Sequence, residues 1–151
     1  MEKHLIREAS LDDLNNGLLD LYVEGYNYHA CGRPDIFLNL SNEEMKNDLL
    51  NHFEREKIIV ILDNKIIVGY LSYVIKKHHT SKLDIDQIVI KEEYRGMGFG
   101  KELMDEAKKI AMINKCDRIE LNCWLFNESA LKMYEHLGFQ KQRIMYEMIL
   151  K

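Results

Sequence analysis

Apolar positions along this chain change period several times, and each change marks an element. His4 to Glu8 alternates briefly as a first strand. Ser10 then stands as a helix N-cap, with Asp12 and Asp13 in the first turn and Leu14, Leu18, Leu21 and Tyr22 at helical spacing. The stretch from Gly25 to Leu40 reads as irregular: it holds the only proline, Pro34, and the rings of Tyr26, Tyr28, His29 and Phe37. Ser41 with Glu44 three residues on is a capping box that opens a second helix running to about Arg55. Lys57 to Leu62 and Lys65 to Lys76 are β-rich runs separated by Asp63-Asn64, a hairpin turn, and Lys82 to Ile90 is a further strand. A long helix spans about Gly98 to Asn114, with Leu103, Met104, Ala107, Ile110 and Ala111 on one face. Asp117 to Cys123 reads as a strand, Asn127 to Leu137 as a helix, and Phe139 to Leu150 as a final strand. The expected fold is one mixed α/β domain over residues 1–151, with a central sheet of about six strands and about four helices.

Composition narrows the class. A length of 151 residues suits one domain, and 46% hydrophobic with 30% charged residues is the balance of a folded soluble protein. The net charge is −4 and no basic block forms a nucleic-acid footprint. The apolar runs, such as Ile58 to Leu62, fall far short of the ~20 residues of a membrane helix, and Glu2, Lys3 and His4 do not open a signal peptide. Cys31, Cys116 and Cys123 are odd in number and match no zinc spacing, which points to plain thiols, a reducing cytoplasmic setting and no metal. His78 and His79 sit in a strand–strand loop and read as exposed rather than ligating.

The most informative segment runs from Ile88 through Lys101. A strand enters a turn with glycines at alternate positions, Gly96, Gly98 and Gly100, and an amphipathic helix starts there. Glycines let the backbone approach a ligand, and unpaired N–H groups at a helix start attract an anion. Arg95 and Lys101 add cationic donors, so a pyrophosphate is the natural guest. Two rival signatures fit worse. The dinucleotide fingerprint needs glycine where Lys101 stands, although Glu120 lies at about the right distance; a Walker loop needs glycine at Arg95 and Ser or Thr at Glu102. A tight turn without a ligand is the plain alternative.

Arg95-Gly96-Met97-Gly98-Phe99-Gly100 resembles the acyl-CoA signature of GCN5-related (GNAT) N-acetyltransferases, Q/R-x-x-G-x-G/A. Asn127, Ala130, Tyr134 and Gly138-Phe139 resemble that family's later motif, so the likeness covers roughly residues 83 to 140. It implies acetyl-CoA as cosubstrate and a parallel strand pair, 82–90 and 117–123, that splays to admit the pantetheine arm. The backbone of Ile88, Val89 and Ile90 would meet that arm. Residues Gly96 to Lys101 would hold the pyrophosphate. Asn127 would touch the cofactor, though an N-cap alone also explains it. Tyr134 would protonate the departing thiolate, where the bland reading is a core tyrosine.

An acceptor amine must lose a proton from an ammonium of pKa about 10.4 before it attacks. Strand alternation places Asp84, Asp86, Ile88 and Ile90 on one face. The resemblance implies a base at one of the two acids, Asp86 preferred and Asp84 second; solvated surface charge is the alternative. The 25–37 segment suits either an acceptor wall or a cover loop. Trp124, Leu125 and Phe126 suit the core or a homodimer contact. The expectation is an N-acetyltransferase acting on a small-molecule amine rather than a protein, with a non-catalytic acyl-CoA sensor as the other reading.

Overall fold

In the computed structural model, which describes residues 4–151, the strands form one five-stranded sheet. The charged start, Glu2 and Lys3, lies outside the described residues. Strand β1 (Leu5–Glu8) pairs antiparallel with β2 (Lys57–Asp63), β2 with β3 (Ile66–Lys77), and β3 with β4 (Ser81–Ile90). Strand β5 (Arg118–Leu121) joins β4 in parallel at the sheet's edge. The β2–β3 turn is Asn64-Lys65, both at positive φ (47° and 69°), the backbone of a two-residue hairpin whose twist matches its strands.

Helices cover both faces. The 3-10 turn Leu11–Asn16, α1 (Leu18–Gly32) and α2 (Asn42–Arg55) bury Leu14, Leu18, Leu21, Tyr22, Met45 and Leu49 against Ile58, Val60, Ile67 and Tyr70. Helix α3 (Phe99–Ile113) lays Leu103, Met104, Ala107 and Ala111 on the opposite face, against Ile59, Ile61, Leu71, Leu83 and Ile85. Helix α4 (Glu128–His136) contributes Tyr134 to the margin of that layer. The expected capping box opens α2: Glu44 N–H donates to Ser41 Oγ at 3.2 Å, and Ser41 N–H to Glu44 Oε2 at 2.7 Å.

Three expectations need correction. The helix expected from Ser10 is broken at Gly17 (φ 111°), so a 3-10 turn precedes α1. Helix α1 then continues to Gly32, through residues that read as irregular from the nearby Pro34 and the several aromatic rings. The final strand over 139–150 is absent: residues 139–151 form no regular element, and the sheet has five strands rather than six. Among the described residues no helix is long and apolar enough to cross a membrane, and the three cysteines are free thiols.

Candidate active site

Strand β4 changes face in its middle. Its register with β3 runs Leu71↔Ile88 and Ser72↔Gln87, then jumps to Tyr73↔Ile85, which leaves Asp86 as the extra residue of a β-bulge. Leu83 and Ile85 pack toward α3 before the bulge, and Ile88 and Ile90 do so after it. The expectation that Asp84 and Asp86 share a face with Ile88 and Ile90 is therefore overturned: one inserted residue shifts the alternation by one. Both acids instead line a cavity of about 440 Å³ with His52, Arg55 and Glu56 at the end of α2, Lys76 on β3, and Asn122 just past β5.

His52, Glu56 and Asp86 form a linked cluster there. His52 Nδ1 lies 2.5 Å from Glu56 Oε2 and 3.4 Å from Asp86 Oδ2. The side chain of Glu56 is only 9% exposed, whereas Asp86 is 50% exposed and faces the cavity. Partial burial, then the neighbouring Glu56 carboxylate, pushes the Asp86 pKa up to about 6. Burial is the largest single influence on Glu56 and works to raise it, but the hydrogen bond and charge of His52, with its polar neighbours, together hold it below the ordinary value. His52 is raised in turn by that hydrogen bond against the opposing effect of burial. Glu56 Oε1 and Ser72 Oγ are buried without a hydrogen-bond partner. Asp84 is already matched, by Lys76 Nζ at 2.8 Å. The phenol of Tyr22 donates to Asp48, and its ring lies 5.7 Å from that of His52. Three possible ligand atoms, one each from His52, Glu56 and Asp86, lie within 4.8 Å of one another.

Beyond the bulge the sheet opens. Strands β4 and β5 pair from Lys82↔Arg118 to Ile85↔Leu121, while β4 runs on to Ile90 without β5 beside it. At the end of that free length Lys91 N–H still bonds Val68 O at 2.8 Å, and the glycine turn follows. Gly96 and Gly98 adopt φ of 77° and 90°, and a Cβ at either would meet nothing within 4 Å. The backbone there is left-handed and open, and Gly98 caps α3. Arg95 is less free than its sequence position suggests: Nε donates to Ile90 O at 2.9 Å and Nη2 pairs with Glu24 at 3.4 Å. Phe99 buries its ring beside Tyr94 and offers a ligand only its backbone, Met97 is exposed, and Lys101 pairs with Asp105 at 2.9 Å.

Across the slot, Asn127 Oδ1 accepts from Ala130 N–H at 3.4 Å, the N-cap bond, and also from Tyr28 OH at 3.2 Å. Tyr134 is half-buried against Phe139, and burial followed by the nearby Cys123 raises its phenol pKa.

An opened parallel pair ending in a left-handed glycine turn at a helix start is what the acyl-CoA signature requires, and the family comparison agrees. The profile described as the acetyltransferase (GNAT) family matches residues 16–139. The chain belongs to the GNAT family. It is an acetyl-CoA-dependent N-acetyltransferase. The chain is 31% identical to the thialysine N-epsilon-acetyltransferase of Sus scrofa, over 91% of this chain and 85% of that protein. It is 29% identical to the spermine/spermidine N(1)-acetyltransferase of Bacillus subtilis, over 49% of this chain and 53% of that one. A solved mutant of a Bacillus halodurans protein superposes with a TM-score of 0.82 over 97% of this chain and 99% of the other, at 24% identity, which speaks for the fold.

Several residues of this GNAT site escape a sequence reading. His52 and Glu56 are four apart at a helix end, a spacing visible in the sequence, but their meeting with Asp86 depends on the packing of α2 and on the bulge. Lys76 and Asn122 likewise join the cavity only through strand register. The 25–37 rings interlock with Trp124 and Phe126: Phe37 lies 5.7 Å from Trp124 and Tyr28 6.0 Å from Phe126. Arg33 covers Trp124 at 5.3 Å.

Proposed function

We propose that this enzyme acetylates a small cationic amine in a ternary complex, with Asp86 as base and Tyr134 as acid. The observation that carries the reading is the cavity where Asp86, Glu56 and Asp84 gather beside the open end of the β4–β5 slot. Lys76 and His52 offset Asp84 and Glu56 there, so the pull on an ammonium rests on Asp86, and a carboxylate with pKa near 6 is mostly ionised at neutral pH yet basic enough to take a proton. Asp84 is the weaker candidate because Lys76 holds it.

Acetyl-CoA supplies the acetyl group as a thioester. The main chain of Ile88, Val89 and Ile90 has free length to bind the pantetheine arm as an added strand. The turn from Arg95 through Gly96, Met97, Gly98, Phe99, Gly100 and Lys101 fits a pyrophosphate mainly through backbone N–H groups, since Gly96 and Gly98 leave open space with no side chain between ligand and backbone. Asn127 orients the near end of α4. Asp86 accepts the ammonium proton, directly or through water; the amine nitrogen bonds the carbonyl carbon and the C–S bond breaks. Tyr134 gives its proton to the sulfur, and the second proton that the nitrogen sheds as the amide forms passes through water to restore the phenol.

The kinship with thialysine and spermine/spermidine enzymes supports a small amine with a second polar or cationic centre. Thiol release from acetyl-CoA across diamines, polyamines, lysine-like amino acids, an amino-sugar phosphate and peptide N-termini tests it. The cationic small amines are expected to give the highest kcat/KM. Preference for the phosphorylated sugar or for peptides contradicts the reading.

A further inference from the structure

Most of the charge lining the Asp86 cavity is matched within the chain. Lys76 Nζ lies 2.8 Å from Asp84 Oδ2, and His52 Nδ1 lies 2.5 Å from Glu56 Oε2. Two lining groups of opposite sign are left over. One is Asp86, half exposed, with only the longer approach of 3.4 Å from His52. The other is Arg55, the last residue of α2. Its Nε donates to Asn51 O at 3.4 Å, the contact of a basic side chain with the carbonyls at its own helix end. Neither Nη group meets a partner among the described residues.

Arg55 is long and flexible and shares its cavity with three carboxylates, yet no carboxylate oxygen of a described residue lies within 4.0 Å of it. Two opposite charges that face one space of about 440 Å³ without touching suit a guest that carries both signs. A plain diamine answers only half of this. Its reacting ammonium suits Asp86, but its second ammonium is repelled by Arg55 and Lys76. A neutral tail leaves the guanidinium unused. A carboxylate fits, because its two oxygens match the planar fork of donors that Arg55 presents.

We propose that the acceptor carries a carboxylate as well as the reacting primary amine, an amino acid with its ammonium at Asp86 and its carboxylate held by Arg55. Arg55 is then a specificity residue, and it takes no part in proton transfer. The inference rests on the small-amine reading above and narrows it.

Thiol release from acetyl-CoA tests it with lysine and ornithine against cadaverine and putrescine, the diamines that lack only their carboxylates. The wild type is expected to favour each amino acid over its diamine by at least about tenfold in kcat/KM, the scale of one charge-assisted contact. Arg55→Gln should raise KM for the amino acids by about that factor at little cost in kcat, while the diamines, relieved of a repelling cation, gain. Arg55→Lys keeps the charge but loses the fork, and should fall between the two. Arg55 is exposed, so both variants should fold, which circular dichroism checks. A wild type that uses the diamines as well as the amino acids overturns this inference and leaves the small-amine reading standing. So does an Arg55→Gln enzyme that keeps the wild-type preference or loses both kinds of substrate equally. Thiol release with none of the four sinks the small-amine reading and this inference with it. The wild-type comparison decides the matter even where a variant does not fold.

Discussion

Asp86 stands one hydrogen-bonded step from Glu56, and two carboxyls that close divide their protons unequally. Glu56, sealed and bonded to His52, keeps its charge; Asp86, open to the cavity, is pushed up to about 6. The titration belongs to the group of three rather than to any one member. Tyr134 works under opposite constraints. Burial keeps its phenol protonated at every working pH, which suits a proton donor to a thiolate and makes it a poor base. Its hydroxyl makes no hydrogen bond to another described residue, so Tyr134→Phe should leave stability nearly unchanged, within about 0.5 kcal/mol. Turnover should fall by roughly 10²-fold, the low end for general acid catalysis, with acetyl-CoA affinity kept. A folded variant that binds acetyl-CoA and turns over at the wild-type rate would return Tyr134 to the core.

At the scale of elements, the site depends on where β4 stops having neighbours. Four pairs tie it to β5, and the glycine turn follows the unpaired stretch. Gly98 tests that turn. Its positive φ strains most side chains, but Asp tolerates it and would sit favourably at the start of α3, so Gly98→Asp should fold. Its charge would stand where the pyrophosphate belongs. Calorimetry should show coenzyme A binding weakened by at least about tenfold, roughly 1.4 kcal/mol, and more than in the neutral control Gly98→Asn. Equal affinity in wild type and Gly98→Asp would move the cofactor elsewhere. The strand, glycine turn and following helix were all legible from residues 82–114, because hydrophobic period and glycine spacing are local signals. The bulge was not. Nothing in Asp84-Ile85-Asp86-Gln87 marks an inserted residue; it is set by the register against Ser72 and Tyr73.

For the whole molecule, sequence order foretold one mixed α/β domain around a central sheet, and family kinship agrees. It missed what arises between distant segments: His52 and Glu56 meeting Asp86, and the rings of 25–37 interlocking with Trp124 and Phe126. It also read residues 139–150 as a strand from composition alone, where the single chain leaves them unpaired. The central claim, that Asp86 draws a proton from a cationic amine during acetyl transfer, is tested most directly by thiol release from acetyl-CoA as a function of pH in wild type and Asp86→Asn. Below pH about 6 the wild-type carboxyl is protonated and cannot act, so kcat/KM should climb as pH rises through that value. It should rise again toward the amine's own pKa of about 10.4, where free amine needs no base. Asp86→Asn should lose the limb near pH 6 and fall by about 10²- to 10⁴-fold at neutral pH, recovering partly at high pH. A variant that keeps both the height and the shape of the wild-type profile would contradict the account.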